Sequence, residues 1–132
     1  MGKIVIRQWE SVEPTIFTGR ESRRIITPEE DNSTRISLHR IHRWAGISNE
    51  VRYPKNDEIL FVLEGEGYII EEGKKYPIKA GTAIFIPEDT MYRIFNSGDL
   101  KMLAVLAPAR YRDEWKERKD LVLLEEGTSR DG

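Results

Sequence analysis

The sequence predicts an all-β fold, a sandwich or a barrel, with one short helix near the C-terminus. Segments rich in β-branched residues alternate with turn residues about every 8–12 positions, which is typical of such folds. Strands are expected over residues 3–8, 22–27, 34–43, 58–63, 68–70, 75–78, 83–86, 91–95 and 100–107. Strong helix formers over 109–119 predict the helix, and an edge strand over 121–124 and a disordered end over 127–132 are expected to follow it.

Length and composition exclude several classes of function. The 132 residues predict one domain, 1–132, with a barrel over 3–108 and a helix and tail over 109–132. The absence of cysteine excludes disulfides and thiolate metal sites. A net charge of −2 gives no reason to expect nucleic acid or an anionic membrane as a partner. Without a signal peptide or an apolar run of about 20 residues, a cytoplasmic protein is expected.

Glycine, proline and glutamate residues recur with the spacing of two known motifs. The matching positions are Gly46, Glu58 and Gly65 in the first motif and Gly81, Pro87 and Asn96 in the second. On these positions the chain resembles the cupin superfamily over most of its length. The resemblance implies a double-stranded β-helix barrel of the jelly-roll type, commonly assembled as a homodimer.

The metal ligands that this resemblance implies are largely replaced. Cupins usually carry histidines at the positions of Arg52, Pro54 and Tyr92, and Asp89 stands where they have glycine. A guanidinium has no free lone pair, proline has no side-chain donor, and a phenol with a reference pKa near 10 is a weak ligand. One carboxylate, Glu58, and one phenol suit a transition metal poorly, so neither a metal nor another cofactor is expected.

Four segments are similar to ectoine synthase, a cupin that cyclises an acetylated diamino acid with loss of water. They cover residues 22–25, 53–58, 64–69 and 73–82. His39 also occupies the position of a histidine in that family. The resemblance implies iron ligands at the positions of Glu58, Ile84 and Tyr92, and two of these three have changed. We therefore expect a relative of ectoine synthase with a different activity.

The strand over 34–43 carries both histidines of the chain. Alternation puts His39 and Arg43 on one face and His42 on the other. The resemblance to cupins turns the His39 face inward. His39 is then either a catalytic base or a hydrogen-bonded core residue, whereas His42 is expected at the surface or in an interface.

Arg52 and Glu58 are expected to point together into the mouth of the barrel. In one interpretation, Arg52 binds a substrate carboxylate or phosphate through its bidentate guanidinium, and Glu58 is a general base or an orienting acceptor. In the other, the two form an ion pair that fills the former metal cavity, since buried charges must be paired. The sequence leaves both open.

Three further residues are candidate ligand-binding groups. Tyr92 could donate a hydrogen bond to a bound oxyanion, although buried tyrosines are more often core residues whose hydroxyl is satisfied. Tyr53 is adjacent to Arg52 and of opposite parity, so it is expected at the rim or in the dimer contact. Asn49 lies three residues before Arg52, where it is either a site residue or the cap of a loop.

Residues 59–63 are apolar on both faces of a strand, which therefore needs a cover on each side. In a chain of this size a second subunit is a plausible cover, so a homodimer is expected. The leading functional hypothesis is binding of a small, anionic metabolite, with Glu58 or His39 as base if the protein is a metal-independent isomerase, lyase or cyclase. The alternatives are a non-catalytic sensor and a metal-dependent hydro-lyase related to ectoine synthase.

Overall fold

Two antiparallel sheets face each other and form the body of the protein. The computed structural model describes residues 2–115 and 121–123. In chain order the strands are β1 (Pro14–Phe17), β2 (Arg20–Ile26), β3 (Ser37–Arg43), β4 (Gly46–Ile47), β5 (Asp57–Glu64), β6 (Glu66–Glu71), β7 (Lys74–Lys79), β8 (Ala83–Ile86), β9 (Arg93–Asn96), β10 (Leu100–Ala107) and β11 (Leu121–Leu123). The larger sheet has the order β11-β1-β2-β3-β10-β5-β8, and the smaller has the order β4-β9-β6-β7. The prediction of an all-β jelly-roll fold is confirmed.

The helices are short and lie outside the sheets. They are a 3₁₀ turn at Trp9–Ser11, α1 at Pro28–Asp31 and α2 at Arg112–Trp115. Thr27 caps α1 by accepting a hydrogen bond from the Glu30 amide, and Pro28 at the first helical position has no amide hydrogen to leave unsatisfied. Within the described residues, no helix has the length and apolar character needed to cross a membrane.

Strand β10 lies at the centre of the larger sheet, between β3 and β5. Ala104 of β10 pairs with His39 on one side and with Leu60 on the other, so these three residues share one face. All three are buried, and they face the apolar interior between the two sheets. On the opposite face of β5, Ile59 is 46% and Phe61 40% exposed. The apolar character of β5 on both faces is thus real, and its outer face has no cover within the described chain.

Two positions at which the motifs have glycine adopt a positive φ angle in the structure. Gly65 has φ +92°, and a Cβ atom there would lie 2.3 Å from the backbone oxygen of Asp99. Any larger residue would therefore clash as well as be strained. Asp89, which replaces a motif glycine, has φ 61°. Aspartate tolerates this left-handed conformation better than most residues, so the turn survives the substitution.

The N-terminal prediction was wrong, because residues 3–8 form no strand. The β-branched side chains suggested one, but Ile4 and Ile6 are exposed and the segment joins no sheet. It is attached through Arg7 instead, whose guanidinium bonds both carboxylate oxygens of Asp31 at 2.8 and 2.9 Å. Propensity alone does not make a strand where no partner edge accepts the backbone.

The C-terminal helix begins later than the sequence predicted, at Arg112. The residues before it are held in place by other partners: the Ala109 amide donates to the Thr34 carbonyl at 3.1 Å, and the Arg110 amide donates to Ser37 Oγ at 2.9 Å. The predicted edge strand is present at Leu121–Leu123 and pairs with β1. The rest of the predicted helix, residue 124 and the expected disorder over 127–132 lie outside the described residues.

Candidate functional site

A small cavity lies inside the barrel, between the inner faces of the two sheets. The space that the centre of a water molecule can reach is about 20 Å³, which is room for roughly one or two waters. The lining residues are Phe17, Arg20, Ser22, His39, Ile41, Arg43, Tyr53, Glu58, Leu60, Tyr92, Ile94, Met102, Ala104 and Leu106. All of these except Tyr53 are buried, so the cavity comes nearest to solvent beside Tyr53.

Glu58 and Tyr92 form a hydrogen-bonded pair in the cavity wall. The Tyr92 hydroxyl donates to Glu58 Oε1 at 2.6 Å, and both side chains are buried. Tyr92 is held by two backbone hydrogen bonds to Val51, of 2.8 and 2.9 Å. Burial, together with the neighbouring Glu58 carboxylate, raises the pKa of Tyr92 well above its ordinary value. Tyr92 is therefore a protonated donor at any physiological pH.

Two arginines lie next to each other in the same wall. Arg20 of β2 and Arg43 of β3 are cross-strand partners, and each is only 5% exposed. The Arg20 guanidinium stacks on the Phe17 ring at 4.0 Å. Burial, and then the charge of Arg20, lower the pKa of Arg43 to about 10, so Arg43 is still a cation at neutral pH. Its buried Nε has no hydrogen-bond partner among the described residues.

The charges of the cavity wall do not balance. Arg20 and Arg43 contribute two positive charges, whereas Glu58 is the single carboxylate among the lining residues. Like charges directly opposite each other on neighbouring strands destabilise a sheet, and burial strengthens their repulsion. The residues that line the cavity therefore include two cations and one anion, all of them buried.

His39 is a neutral member of this wall. Its Nε2 lies 3.0 Å from Ser37 Oγ, and the side chain is buried. Burial, and then the charges of Arg24 and Arg110, lower the pKa of His39 to about 3. A histidine with so low a pKa takes up no proton near neutral pH. The predicted inward orientation of His39 agrees with this geometry, and the lowered pKa favours the hydrogen-bonded core residue over the catalytic base.

The expected pairing of Arg52 with Glu58 does not occur. Arg52 is half exposed, and its Nε lies 3.0 Å from Asp89 Oδ1 at the surface. The backbone explains this orientation, because Val51 pairs with Tyr92 and turns inward, which directs the next side chain outward. Asn49 is also exposed and does not line the cavity.

Tyr53 lines the cavity where it comes nearest to solvent, which agrees with the predicted position at the rim. Its ring also contacts Arg110, whose guanidinium carbon is 4.9 Å from the ring centre. The parity argument correctly put Arg52 and Tyr53 on opposite sides of the chain. It placed Arg52 in the cavity, and the structure has Tyr53 there instead.

His42 is buried, which also corrects the prediction. Its Nε2 lies 3.2 Å from Asp99 Oδ2, and its Nδ1 lies 4.0 Å from Glu21 Oε1. The Trp44 ring packs against it edge-on, with 5.9 Å between ring centres. Neighbouring polar and aromatic side chains therefore cover a histidine on the outer face of the sheet.

The sequence reasoning missed both buried arginines. Arg43 has the parity of His39, so its inward direction could have been recognised once the His39 face was turned inward. Arg20 offered no comparable signal, because it lies two residues before the predicted start of its strand. Its approach to Arg43 depends on the pairing of β2 with β3.

The residues of the cavity do not fit a divalent metal. Within the described parts of the chain, no group of three or more histidine, cysteine, aspartate and glutamate residues could hold one. Glu58 already accepts a hydrogen bond from Tyr92, and His39 Nε2 faces Ser37. A cation would also be repelled by the two guanidinium groups in the same wall.

Comparisons with known proteins agree with this architecture. Residues 38–106 match the family model described as Cupin domain. L-ectoine synthase from Saccharophagus degradans is 29% identical over 105 residues, covering 71% of this chain and 80% of that protein. The crystal structure of ectoine synthase from P. lautus superposes with a TM-score of 0.80 at 20% identity and covers 93% of each chain. The polyketide cyclase RemF from Streptomyces resistomycificus superposes with a TM-score of 0.71 at 18% identity, covering 95% of this chain and 89% of that one.

Proposed function

The chain belongs to the cupin family, and we propose that it binds a small organic anion, of the carboxylate class, inside its barrel without a metal ion. The observation that carries this proposal is the cross-strand pair of buried arginines, Arg20 and Arg43, next to a single carboxylate. An anion between them accepts hydrogen bonds from the guanidinium groups, including the buried Arg43 Nε. Guanidinium and carboxylate groups match geometrically, because each presents two parallel hydrogen-bonding positions.

The size of the cavity supports a small ligand or the small end of a larger one. A space of about 20 Å³ admits an ion of formate size and excludes a whole metabolite. A larger acid places its carboxylate between the arginines and extends past Tyr53, the lining residue that is not buried. The apolar wall of Leu60, Ile94 and Met102 favours a short hydrocarbon portion next to the carboxylate.

The experiment that tests this proposal measures binding of formate and acetate by titration calorimetry at constant ionic strength. Arg43→Met is expected to weaken formate binding by about 10- to 100-fold, the equivalent of losing a hydrogen bond to a charged group. Arg52→Met is the matched control, since it removes an exposed arginine from the same protein and leaves the cavity wall intact. Formamide, a neutral molecule of similar shape, is expected not to compete.

Two results contradict the proposal. One is the absence of formate and acetate binding to the wild-type protein at millimolar concentrations. The other is an equal loss of affinity in Arg43→Met and Arg52→Met, which means that the anion is attracted by overall charge and not by the cavity.

A second candidate function, a proton-transferring isomerase, lyase or cyclase, is favoured by the position of Glu58. Its carboxylate lies in the same cavity as the two guanidiniums, so it can act as a base towards an acidic C–H group of an arginine-bound carboxylic acid. Tyr92 donates to Glu58 and fixes its orientation. Exchange of the methyl hydrogens of pyruvate in D₂O tests this role: Glu58→Gln is expected to abolish catalysed exchange and to retain pyruvate binding. Binding without exchange in the wild-type protein favours a sensor instead.

A further inference from the structure

Ser37 lies next to His39, outside the set of residues that line the cavity, and is completely buried. Its hydroxyl oxygen takes part in two contacts. The backbone amide of Arg110 donates to Oγ at 2.9 Å, and Oγ lies 3.0 Å from His39 Nε2. Both partners are themselves buried, so water does not compete for these hydrogen bonds.

The direction of the hydrogen bonds follows from the chemistry of the three groups. A backbone amide only donates, so Ser37 Oγ accepts from Arg110. The hydroxyl hydrogen must then find its own acceptor, since a buried unsatisfied donor costs about 1–3 kcal/mol. Among the described residues, the acceptor within reach is His39 Nε2. Nε2 therefore has no hydrogen, and a neutral ring carries its hydrogen on Nδ1.

This state of the ring changes what His39 can do. With the Nε2 lone pair directed at Ser37 and a hydrogen on Nδ1, the ring has no second lone pair for a proton or a metal ion. Apart from the hydrogen bond that Nε2 accepts from Ser37, the ring can act only as a hydrogen-bond donor, through Nδ1. The other polar groups in the wall are the guanidiniums of Arg20 and Arg43, which also only donate, the pair of Tyr92 with Glu58, and the hydroxyls of Ser22 and Tyr53.

We propose that Ser37 is a positioning residue that holds His39 in its Nδ1–H form, as a donor in the wall of the anion-binding cavity. This role deepens the proposed function and rests on it, because a donor in the wall is useful for binding an anion. Arg110 links Ser37 to the cavity entrance. Its backbone amide donates to Ser37, and its guanidinium packs against the Tyr53 ring.

Nitrogen NMR of the two histidine rings in uniformly labelled protein tests the proposal. The chain contains two histidines, so a His42→Gln variant assigns the signals. We expect His39 to show a protonated Nδ1 and an unprotonated Nε2 from pH 5 to pH 8. An imidazole ring in water prefers the opposite tautomer, so this pattern is diagnostic of a hydrogen bond donated to Nε2. A protonated Nε2 in the wild-type protein overturns the proposal.

Matched serine variants separate positioning from packing. Ser37→Ala is expected to shift the ring towards the Nε2–H form and to weaken formate binding about 3- to 10-fold, consistent with the loss of a hydrogen bond of ordinary strength. Ser37→Thr keeps the hydroxyl and is expected to restore both the tautomer and the affinity. Ser22→Ala removes a different buried hydroxyl from the cavity wall and is expected to leave the tautomer unchanged.

The outcomes distinguish this role from the proposed function itself. If His39 has the expected tautomer and formate does not bind, anion binding is wrong and Ser37 still sets the tautomer. If formate binds through Arg43 and His39 is in the Nε2–H form, the role of Ser37 is wrong and the anion site stands. If Ser37→Ala does not fold, the wild-type spectrum and Ser37→Thr decide the question.

Discussion

Both faces of β3, β10 and β5 carry some side chains whose character is the reverse of what solvent exposure favours. The inner face carries His39, Arg43 and Glu58, all buried. The outer face of the same strands carries Ile59 and Phe61, which are 46% and 40% exposed. Phe85 on the neighbouring strand β8 is cross-strand partner to Ile59 and is 63% exposed.

The contrast indicates that neither face is optimised for the stability of an isolated chain. Buried charges are retained against their desolvation cost, and apolar side chains remain in contact with water. A ligand that supplies negative charge explains the inner face. A second copy of the chain explains the outer one, and we propose a homodimer formed through the outer face of β5 and β8. The two faces can be tested separately, and the largest effect is expected on the inner one.

The largest effect on stability is expected at Glu58. Glu58→Gln removes the single carboxylate from the cavity wall and leaves Arg20 and Arg43 with no counter-charge there. Removing one partner from a buried charge cluster typically destabilises a protein by about 3–5 kcal/mol. We therefore expect Glu58→Gln to lose about 3 kcal/mol of unfolding free energy, measured by urea denaturation without added anions.

The control for Glu58 is the same change in the Arg43→Met background. One cation then remains in the wall, so the loss is expected to be clearly smaller. Arg43→Met alone is expected to cost less stability than Glu58→Gln, because it removes a buried charge and leaves Glu58 with Arg20 in the wall. A Glu58→Gln protein as stable as the wild type contradicts the charge imbalance on which the anion site depends.

A medium effect on the unfolding free energy is expected from His39 when the pH is lowered. The unfolded chain protonates this residue below its ordinary value of 6.5, whereas its folded pKa is about 3. The unfolded state therefore binds more protons between these values, and stability falls as pH is lowered through that window by about 1.4 kcal/mol per pH unit. The contribution of the neutral, buried His39 to folding stability is fully present above pH 6.5.

The measurement compares urea unfolding at pH 6.5 and pH 5 for the wild type and two variants. His39→Gln is expected to remove about 2 kcal/mol of the difference between the two pH values, and His42→Gln is expected to leave the His39 part in place. Carboxylates such as Asp31, whose pKa is lowered by its hydrogen bonds to Arg7, contribute equally to all three proteins. An unchanged pH dependence in His39→Gln shows that His39 is protonated in the folded state.

The smallest effect on the fold of one chain is expected on the outer face. Replacing Phe61 and Phe85 by serine removes exposed apolar surface, so it is expected to change the stability of the protomer by less than about 1 kcal/mol. It is expected to convert a dimer into a monomer in sedimentation at micromolar concentration and to leave formate affinity unchanged. Tyr68→Ser with Phe95→Ser is the matched control, since these two aromatic residues are exposed cross-strand partners on the smaller sheet. A wild-type protein that sediments as a monomer removes the proposed interface.

The sequence predicted the elements of the fold better than the members of the site. Alternation and turn residues predicted β8 and β10 with their observed bounds, because burial on one face imposes a period of two. The motif spacing predicted the neighbourhood of Glu58 and Tyr92, which the structure joins by a hydrogen bond. The motif spacing wrongly indicated Arg52 as the cation of the cavity. A motif position gives the place of a residue in the chain and not the direction of its side chain.

The sequence by itself determined the class of fold, the family and the loss of most of the usual metal ligands. These depend on residue types and spacings that can be read along one chain. Only the tertiary structure decided that Arg43 and Arg20, and not Arg52, supply the charge of the cavity. The physical reason is that this charge arises where β2 pairs with β3, and the pairing of two strands is a property of the folded sheet.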